Sequence, residues 1–363
     1  VRWCKVRSRF GSSHFFELSN SHRAVLCGAS RNVHRACYMG CSVCSTLCGQ
    51  DAAGLQGKLL HDYKLGKIIG QGAFGVVYDC VHKSTGEELA VKFIDQAETP
   101  RHEIEKEVNV LRELDHPSII KLHDAYFEKV FVCMVMELYR GGSMIEGMTA
   151  HWKSKGMIPV AAVRRLTRMM WESISYIHSL SIVHRDVKGD NFMMDTEDVT
   201  DPANCIYLGD FGTVHKLAEG ERMHQKVGTQ NYWAPEFCNG DYGCKVDCWA
   251  TGVIMYGLFC ARFPFKTSTE IKKKRLTLPE TVADDGRDLV LLALERNEEK
   301  RSEAQQALAH RFLEGTCRPR GRSEATTRSS SSSSGSSQSG SRAGSSSRSS
   351  SRSSNGQQQQ QQQ

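Results

Sequence analysis

The sequence predicts an α+β fold in which a small sheet-bearing lobe is followed by a larger helical lobe. Three observations lead to this prediction. Residues 63–94 have the composition of three strands joined by turns, and residues 130–138 predict a further buried strand. Helical spacing dominates beyond this point, most clearly over residues 159–180. Strands first and helices afterwards favour two successive lobes over an alternating parallel sheet.

The first lobe begins with the strands of residues 63–94, in which the turn-forming segment KSTGEE marks a hairpin. Residues 100–114 follow with apolar side chains at helical spacing, namely Ile104, Val108 and Leu111. The segment VFVCMVMEL is apolar almost throughout and predicts a buried strand. Pro159 favours the start of the next helix. Its apolar residues share one face: Val160, Val163, Leu166, Met170, Ile174 and Ile177.

Composition divides the 363 residues into three regions. Residues 1–62 show no sustained periodicity and include a cysteine-rich run, so we predict a basic, disordered N-terminal extension. Residues 63–313 carry the regular patterns, and we predict one domain with its first lobe over 63–138 and its second over 139–313. Residues 314–363 are rich in Ser and Arg and end in seven glutamines. Such a tail cannot bury enough apolar surface to fold.

Charge is unevenly distributed along the chain, whose net formal charge is +6. Residues 1–62 carry eight Lys and Arg against three Asp and Glu, and residues 314–363 carry seven against two, so the middle is about −4. A mildly acidic domain is a poor nucleic-acid binder, so we expect no nucleic-acid partner for it. The basic flanks could make weak contacts with a membrane surface or a partner. The sequence contains no apolar run of transmembrane length.

The fourteen cysteines fall into two groups. Eight are scattered singly from Cys80 to Cys317, as is usual for buried thiols of intracellular proteins. We therefore expect a cytoplasmic protein, with the nucleus as the alternative. The other six lie within residues 4–48, four of them spaced C-x₃-C-x₂-C-x₃-C. That spacing leaves zinc binding, acylation and unstructured sequence open.

The segment GQGAFGVV places Gly70, Gly72 and Gly75 in the pattern G-x-G-x-x-G, followed by Val77. Glycines let backbone N–H groups approach phosphate oxygens closely. An ordinary turn-rich hairpin would have the same glycines, and chance alone gives the pattern roughly 0.2 times per chain of this composition. A strand follows rather than a helix, which disfavours a dinucleotide-binding fold.

The segment AVKF places Lys92 in an apolar strand, where an unpaired ammonium group is costly. The helix that follows offers Glu107 as a partner, with Glu103 and Glu105 as competitors. Alternatively, Lys92 reaches solvent from the strand edge and Glu107 is a solvated helix charge. A lysine held by a carboxylate can bind the α- and β-phosphates of a nucleotide as a point charge.

The segment HRDVKGDN, residues 184–191, holds two cations, two carboxylates and an amide in eight positions. A solvated loop would explain such crowding, and so would a site for a highly charged ligand. The pattern H-R-D-x-K-x-x-N arises by chance in about one chain in ten thousand. In this interpretation Asp186 accepts the proton of an attacking hydroxyl, and Lys188 balances charge on a transferred phosphoryl group. Asn191 is a neutral ligand for Mg²⁺.

Two later segments extend the pattern. GDFG, residues 209–212, supplies Asp210 as a carboxylate ligand for the same metal. GTQNYWAPE ends at Glu236, for which Arg301 is a candidate buried partner. Taken alone, the first segment is an ordinary turn and Glu236 an ordinary surface charge.

In this order and at these spacings, the segments resemble the signature set of the eukaryotic protein kinases, over about residues 63–313. The resemblance implies the two-lobed kinase fold, ATP and Mg²⁺ as cofactors, and proteins bearing Ser or Thr as substrates. Lys188 and Thr229 resemble serine/threonine kinases. HPSIIKLHDAYF and VMELYRGGSM are most similar to the calcium/calmodulin-dependent and calcium-dependent branch, although the chain has no EF-hand motif of its own.

The resemblance also assigns individual roles. It implies a catalytic set of Lys92, Glu107, Asp186 and Lys188, and metal ligands Asn191 and Asp210. It implies nucleotide contacts from Gly70, Gln71, Gly72, Ala73, Phe74, Gly75, Val77, Ala90, Lys92, Glu137, Tyr139 and Met193. Met136 takes the gatekeeper position, and Asp247 braces the catalytic loop.

Two rival functions are a pseudokinase or scaffold that binds ATP without turnover, and an ATP-dependent metabolic phosphotransferase. The intact set of Lys92, Asp186, Asn191 and Asp210 argues against the first, since pseudokinases usually lack one of these. The segment WAPE argues against the second, because in the resembled family it shapes a groove for protein substrates.

The sequence departs from the family pattern at the position four residues before Thr229, where many relatives carry a phosphorylatable residue. Gln225 stands there. We therefore predict activity without phosphorylation at this position. In place of a phosphate, the carboxylate of Glu219 or Glu221 would pair with the charge of Arg185.

Two further departures affect the substrate side. Ser143 stands where basic-directed relatives carry an acid, whereas Asp190 is retained, so one of the two acids that would favour basic substrates is present. The stretch 265–278 is short for the family, which implies either a trimmed substrate-docking helix or missing sequence.

Overall fold

The computed structural model describes the backbone of residues 3–7 and 13–17 and, further along, residues 57–72 and 75–314. Strand β1 (Trp3–Arg7) pairs antiparallel with β2 (Ser13–Glu17). The cysteine-rich run and the Ser/Arg tail lie outside the described residues, and so do Ala73 and Phe74. Zinc binding, acylation, membrane contact and disorder in those flanks stay predictions.

A five-stranded antiparallel sheet forms the first lobe, with strand order β3-β4-β5-β7-β6. Its strands are β3 (Tyr63–Gly72), β4 (Gly75–His82), β5 (Glu88–Asp95), β6 (Leu122–Phe127) and β7 (Phe131–Glu137). The short helix α1 (Leu59–Asp62) precedes β3 and buries Leu59 in the apolar cluster on one face of the sheet. Val91 and Phe93 of β5 lie in that same cluster.

Side chains alternate along β5, so Lys92 and Ile94 lie on the opposite face from Val91 and Phe93. Helix α2 (Arg101–Glu113) covers this second face. Its predicted apolar residues Ile104, Val108 and Leu111 are all buried, and so is Glu107. The period of the strand and the period of the helix thus bring Lys92 and Glu107 to one side of the sheet.

The second lobe is mainly helical. Its helices are α3 (Met144–Lys155), α4 (Val160–Ser179), α5 (Pro235–Asn239), α6 (Lys245–Cys260), α7 (Ser268–Lys273), α8 (Asp284–Ala293) and α9 (Ala304–Leu308). Two small antiparallel pairs carry the loops between α4 and α5: β8 (Ile182–Val183) with β11 (His215–Lys216), and β9 (Phe192–Met194) with β10 (Ile206–Leu208).

Helices α4 and α6 form the centre of this lobe. The predicted face of α4 is buried except at Val160, which is 41% exposed because it is the first residue of the helix. Helix α6 is buried from Val246 to Phe259, as a core helix that is apolar on all sides must be. The fold class predicted from the sequence, an antiparallel-sheet lobe followed by a helical lobe, is confirmed. No helix within the described ranges is both long and apolar enough to cross a bilayer.

Candidate active site

A cavity of about 270 Å³ has walls from both lobes. Val77, Ala90, Met136, Glu137 and Tyr139 line it from the sheet and the segment that follows β7. Asn191, Met193 and Asp210 line it from the helical lobe, together with the exposed Asp190. Lys92 and Glu107 also lie in its wall. The predicted nucleotide contacts Val77, Ala90, Lys92, Glu137, Tyr139 and Met193 are thus collected around one space.

The glycine segment forms the hairpin between β3 and β4, and Gly72 pairs with Gly75 at its end. Gly75 lies in the cavity wall with φ at +137°. A Cβ at this position would clash with the backbone carbonyl oxygen of Phe93, so only glycine fits here. Gly70 and Gln71 belong to the same strand but are not among the lining residues, whereas Ile69 is.

Lys92 joins two carboxylates at the back of the cleft. Its Nζ lies 3.2 Å from Oε1 of Glu107 and 3.5 Å from Oδ1 of Asp210. Glu105, a competitor in the sequence, pairs with Arg101 at 2.8 Å instead. Burial opposes the charge of Lys92, but Glu107 and Asp210 outweigh burial and raise its pKa. The lysine is therefore held charged where a phosphate could meet it.

Asp210 is held charged by the same arrangement. Burial would raise the pKa of its carboxyl, but Lys92, His184 and Lys188 together lower it below the ordinary value. Asp210 adopts a left-handed backbone conformation with φ at +58°, which is uncommon for a residue with a side chain. Strain at this position is offset only where the surroundings fix the side chain, as these cations do.

The catalytic-loop segment folds into a hydrogen-bonded unit around Asp186. Lys188 Nζ donates to Oδ2 of Asp186 at 2.7 Å and to Oγ1 of Thr229 at 3.1 Å. The backbone N–H of Thr229 donates to Oδ1 of Asp186 at 2.8 Å. Asn191 donates its Nδ2 to the carbonyl oxygen of Asp186 at 2.9 Å, so its Oδ1 is the oxygen that could bind a metal.

A second cavity, of about 240 Å³, lies beside the first and shares Lys92, Glu107 and Asp210 with it. Asp186 also lines this space, as do Glu103 and Thr213. The carboxyl groups of Asp186 and Asp210 therefore face one cleft, although 24 positions separate them in the sequence.

Asp247 of helix α6 fixes the backbone of the segment that contains Asp186. This side chain is 1% exposed, and its carboxylate accepts hydrogen bonds from His184 N at 2.7 Å, Arg185 N at 2.9 Å and His178 Nε2 at 3.0 Å. Burial would raise the pKa of Asp247, but the hydrogen bond from His178 and the charges nearby lower it. Arg185 has φ at +67°, a conformation that these bonds stabilise.

Arg185 is bound by neutral acceptors. It donates to the carbonyl oxygens of Thr213 at 2.6 Å and Val214 at 3.4 Å, and lies 3.5 Å from Oε1 of Gln225. The prediction that Glu219 or Glu221 would pair with Arg185 is wrong, because neither acid forms an ion pair with it within the described residues. Glu221 instead accepts hydrogen bonds from His215 at 2.8 Å and from the backbone of Ala218 at 2.7 Å. Both carboxylate oxygens of Glu221 are thus hydrogen-bonded within the turn and are not available to Arg185.

Glu236 and Arg301 form a buried ion pair, as the sequence suggested. Arg301 Nη2 lies 3.0 Å from Oε2 of Glu236, and Nη1 bonds the other carboxylate oxygen. The guanidinium also donates to the carbonyl oxygens of Lys245 and Glu295, at 3.0 and 2.8 Å, and lies over the ring of Trp249. The pair ties the end of the segment that follows Asp210 to the core.

Ile120 and Leu138 line the 270 Å³ cavity but were not predicted. Ile120 lies in the connection before β6 and hydrogen-bonds through its N–H to Leu208 O at 3.0 Å. A single isoleucine in a connecting segment has no periodic signal that distinguishes a cavity wall from the core. Leu138 directly follows Glu137, so its place next to a predicted contact was a signal that could have been used.

The donor set fits Mg²⁺ with a nucleotide. Asp210 offers carboxylate oxygens and Asn191 an amide oxygen, the hard ligands that Mg²⁺ prefers, and Mg²⁺ usually takes only one or two protein ligands besides phosphates and waters. Within residues 57–72 and 75–314, no group of three or more His, Cys, Asp and Glu side chains could hold a metal by itself.

The two lobes, the glycine hairpin and the charged cleft define the class of two-lobed kinases. The chain belongs to the protein kinase family, since the family model for the protein kinase domain matches residues 63–313. The predicted resemblance to the serine/threonine kinases of the calcium-dependent branch is confirmed by the curated relatives.

Human serine/threonine-protein kinase DCLK2 is 36% identical over 270 residues, which cover 70% of this chain and 34% of that protein. Calcium-dependent protein kinase 25 of Arabidopsis thaliana is 32% identical over 310 residues, covering 80% of this chain and 57% of the relative. Rat serine/threonine-protein kinase DCLK1 is 32% identical over 295 residues, covering 75% and 66%. The chain thus spans about a third of the length of the DCLK2 proteins that it matches.

Proposed function

We propose that this chain is an active protein serine/threonine kinase that transfers the γ-phosphoryl group of Mg-ATP to Ser or Thr hydroxyls of proteins. One observation carries the proposal: Lys92 is within 3.5 Å of both Glu107 and Asp210, in a cavity that Asp186 also lines. Phosphoryl transfer depends on positioning and charge neutralisation more than on covalent chemistry by the protein. A cleft with this arrangement of charges meets those needs.

The nucleotide would lie in the 270 Å³ cavity, with its adenine between Val77 and Ala90 on one side and Met193 on the other. Its phosphates would then reach Lys92, which binds them as a point charge. Asp210 and Asn191 would hold Mg²⁺, which would neutralise phosphate charge when bound. The remaining steps belong to side chains of the catalytic loop.

Asp186 would act as the base and orienting group for the acceptor. Its two carboxylate oxygens are held by Thr229 N and Lys188 Nζ, so the carboxylate cannot turn away from the cleft. The acceptor oxygen forms a bond to the γ-phosphorus, the bond from that phosphorus to the bridging oxygen of ADP breaks, and the hydroxyl proton goes to Asp186. The ammonium group of Lys188 lies beside Asp186 and stabilises charge on the transferred group.

A pseudokinase that binds ATP without turnover is the alternative. Such a protein needs only the residues that bind the nucleotide, whereas the bonds from Lys188 and Thr229 fix the carboxylate of Asp186, which would serve an acceptor hydroxyl. The complete set of Lys92, Asp186, Asn191 and Asp210 in one cleft therefore favours turnover.

Radiolabel transfer to generic protein substrates tests the proposal, with ATP binding measured on the same samples. The wild type should transfer label, and Lys92→Met and Asp210→Ala should each lose at least about 100-fold in rate. Equal signal in all three proteins would point to a contaminating kinase and refute the proposal. ATP binding without any transfer by the wild type would establish the pseudokinase instead.

A further inference from the structure

The surface next to Asp186 is built from the segment that ends at Thr229. Thr229 N donates to Asp186 Oδ1, and Gly228 packs so closely that a Cβ there would lie 3.0 Å from the same oxygen. The indole of Trp233 holds Val227, the residue before Gly228, because its Nε1 donates to Val227 O at 3.0 Å. A peptide whose hydroxyl lies at Asp186 would therefore lie close to this segment.

Lys226 is the charged residue that lies nearest before Thr229 in this segment. It is exposed and lies against helix α5, since a Cβ at Gly240 would be 3.5 Å from its Cε. His224 secures the contact by hydrogen-bonding through Nδ1 to Gly240 O at 2.9 Å. Within the described part of the chain, the ammonium group of Lys226 has neither a hydrogen-bond acceptor nor a carboxylate partner.

Helix α7 adds a second lysine to the same place. Lys272 is exposed and donates to Oδ1 of Asn239, the residue before Gly240, at 3.2 Å. Both ammonium groups act on the thiol of Cys238: burial raises the pKa of this thiol, whereas Lys272 and Lys226 lower it. The two lysines thus flank the end of helix α5, and we call them the basic pair.

Acids near the basic pair are paired with other cations, although Asp241 shares Arg222 with Glu298. Asp241 accepts from Arg222 Nε at 2.9 Å, Glu270 lies 3.2 Å from Lys274 Nζ, and Glu236 is buried against Arg301. The basic pair is therefore a local excess of positive charge on a domain whose net charge is about −4. An anion that approaches this surface meets two ammonium groups, while the nearby carboxylates of Asp241 and Glu270 are engaged with Arg222 and Lys274.

We propose that Lys226 and Lys272 select protein substrates that carry an anionic side chain, from Asp, Glu or a phosphorylated residue, near the acceptor. The proposal rests on the proposed kinase function. From Gly228 to Lys226 the chain spans at most about 7 Å, to which the lysine side chain adds its own length. An extended peptide advances about 3.3 Å per residue, so the anion falls about two to five residues from the acceptor.

Matched peptides test this selection on the full chain. Each peptide carries one Ser in a neutral background, with Ala, Asp, phosphoserine or Lys placed two to five residues before or after it. For the wild type we expect kcat/KM about threefold to tenfold higher with an anion than with Ala on one side of the acceptor, mainly through KM. The preference should weaken as ionic strength rises, because exposed charges are screened.

The double variant Lys226→Gln/Lys272→Gln should bring the ratio of anionic to neutral peptide close to one. Both peptides are assayed on one preparation, so the fraction of folded enzyme cancels in the ratio. Lys129→Gln, an exposed lysine of the other lobe, is the matched control and should keep the wild-type ratio.

A wild type that is active but treats anionic and neutral peptides alike on both sides refutes the selection and leaves the kinase function intact. The selection is equally refuted if the double variant keeps the preference. A wild type that phosphorylates none of the peptides, nor generic proteins, refutes the kinase function itself. If only phosphoserine is preferred, the selected substrates are those already phosphorylated, and if Asp serves as well, they are acidic sequences.

Discussion

Asp247→Asn is the substitution that most sharply separates the positioning of the catalytic loop from its chemistry. Asp247 accepts two backbone N–H bonds, from His184 and Arg185, and a third bond from His178. Asparagine has the same shape but must turn an NH₂ group toward one of these donors. At least one hydrogen bond to a charged acceptor is then lost in a site that is 1% exposed.

The expected loss of activity follows from the number of hydrogen bonds lost. One hydrogen bond to a charged group is worth about 1.5–3 kcal/mol, and more if the two N–H groups repel. If the loss appears in the transition state, kcat falls about 10- to 150-fold. The KM for ATP should stay within about threefold, since Asp247 is not among the residues that line the nucleotide cavity.

Steady-state kinetics with varied ATP, together with urea unfolding, measures both effects. Asp284→Asn is the control, because it makes the same chemical change at an exposed helix start and should cost no more than about 1 kcal/mol. A folded Asp247→Asn enzyme with kcat within about twofold of the wild type would refute the reasoning, since the bracing bonds would then be dispensable.

Three other predictions concern stability, pH and regulation. Arg301→Met should lower the free energy of unfolding by about 3–5 kcal/mol, because Glu236 is left buried and unpaired. The control Lys300→Met, at an exposed lysine, should leave that free energy unchanged. A loss below about 1 kcal/mol for Arg301→Met in urea unfolding would contradict the prediction. The pKa of Asp210 is lowered in the folded state, so the ionised carboxylate stabilises the fold above about pH 4, and this contribution is lost as the pH falls through the pKa of the folded state. The free energy of unfolding of the wild type should therefore fall more between pH 7 and pH 3 than that of Asp210→Asn. Equal losses would count against the ion pair with Lys92. Phosphatase treatment should change kcat by less than about twofold. Residues 214–228 contain no Ser, Thr or Tyr, and Arg185 is held by neutral acceptors, so no phosphate is needed there. Loss of activity would show that a phosphate elsewhere is required.

Most of the first lobe could be predicted because its strands and helix follow from short-range periodicity, but strand β6 (Leu122–Phe127) was not predicted. Ile104, Val108 and Leu111 repeat at helical spacing and are buried as expected. Val160 shares the apolar face of helix α4 but is exposed, because it is the first residue of the helix. Contacts of this kind depend on the packing partner and not on the helix alone.

The members of the site could be predicted through their motifs, but their partners only in part. Lys92 needed a carboxylate, and strand and helix periods left Glu103, Glu105 and Glu107 as candidates. Glu105 is taken by Arg101 on the same helix, which a spacing of four residues could have indicated. The basic pair could not be foreseen, because nothing local relates Lys226 to a residue 46 positions later.

The most direct test of the central claim is single-turnover phosphoryl transfer by Asp186→Asn, with ATP binding measured on the same protein. The account predicts that ATP binds within about threefold of the wild type while the transfer rate falls at least about 100-fold, with Asp284→Asn as the matched control. Transfer by Asp186→Asn at the wild-type rate would contradict the assignment of the cleft as the place where the hydroxyl is activated.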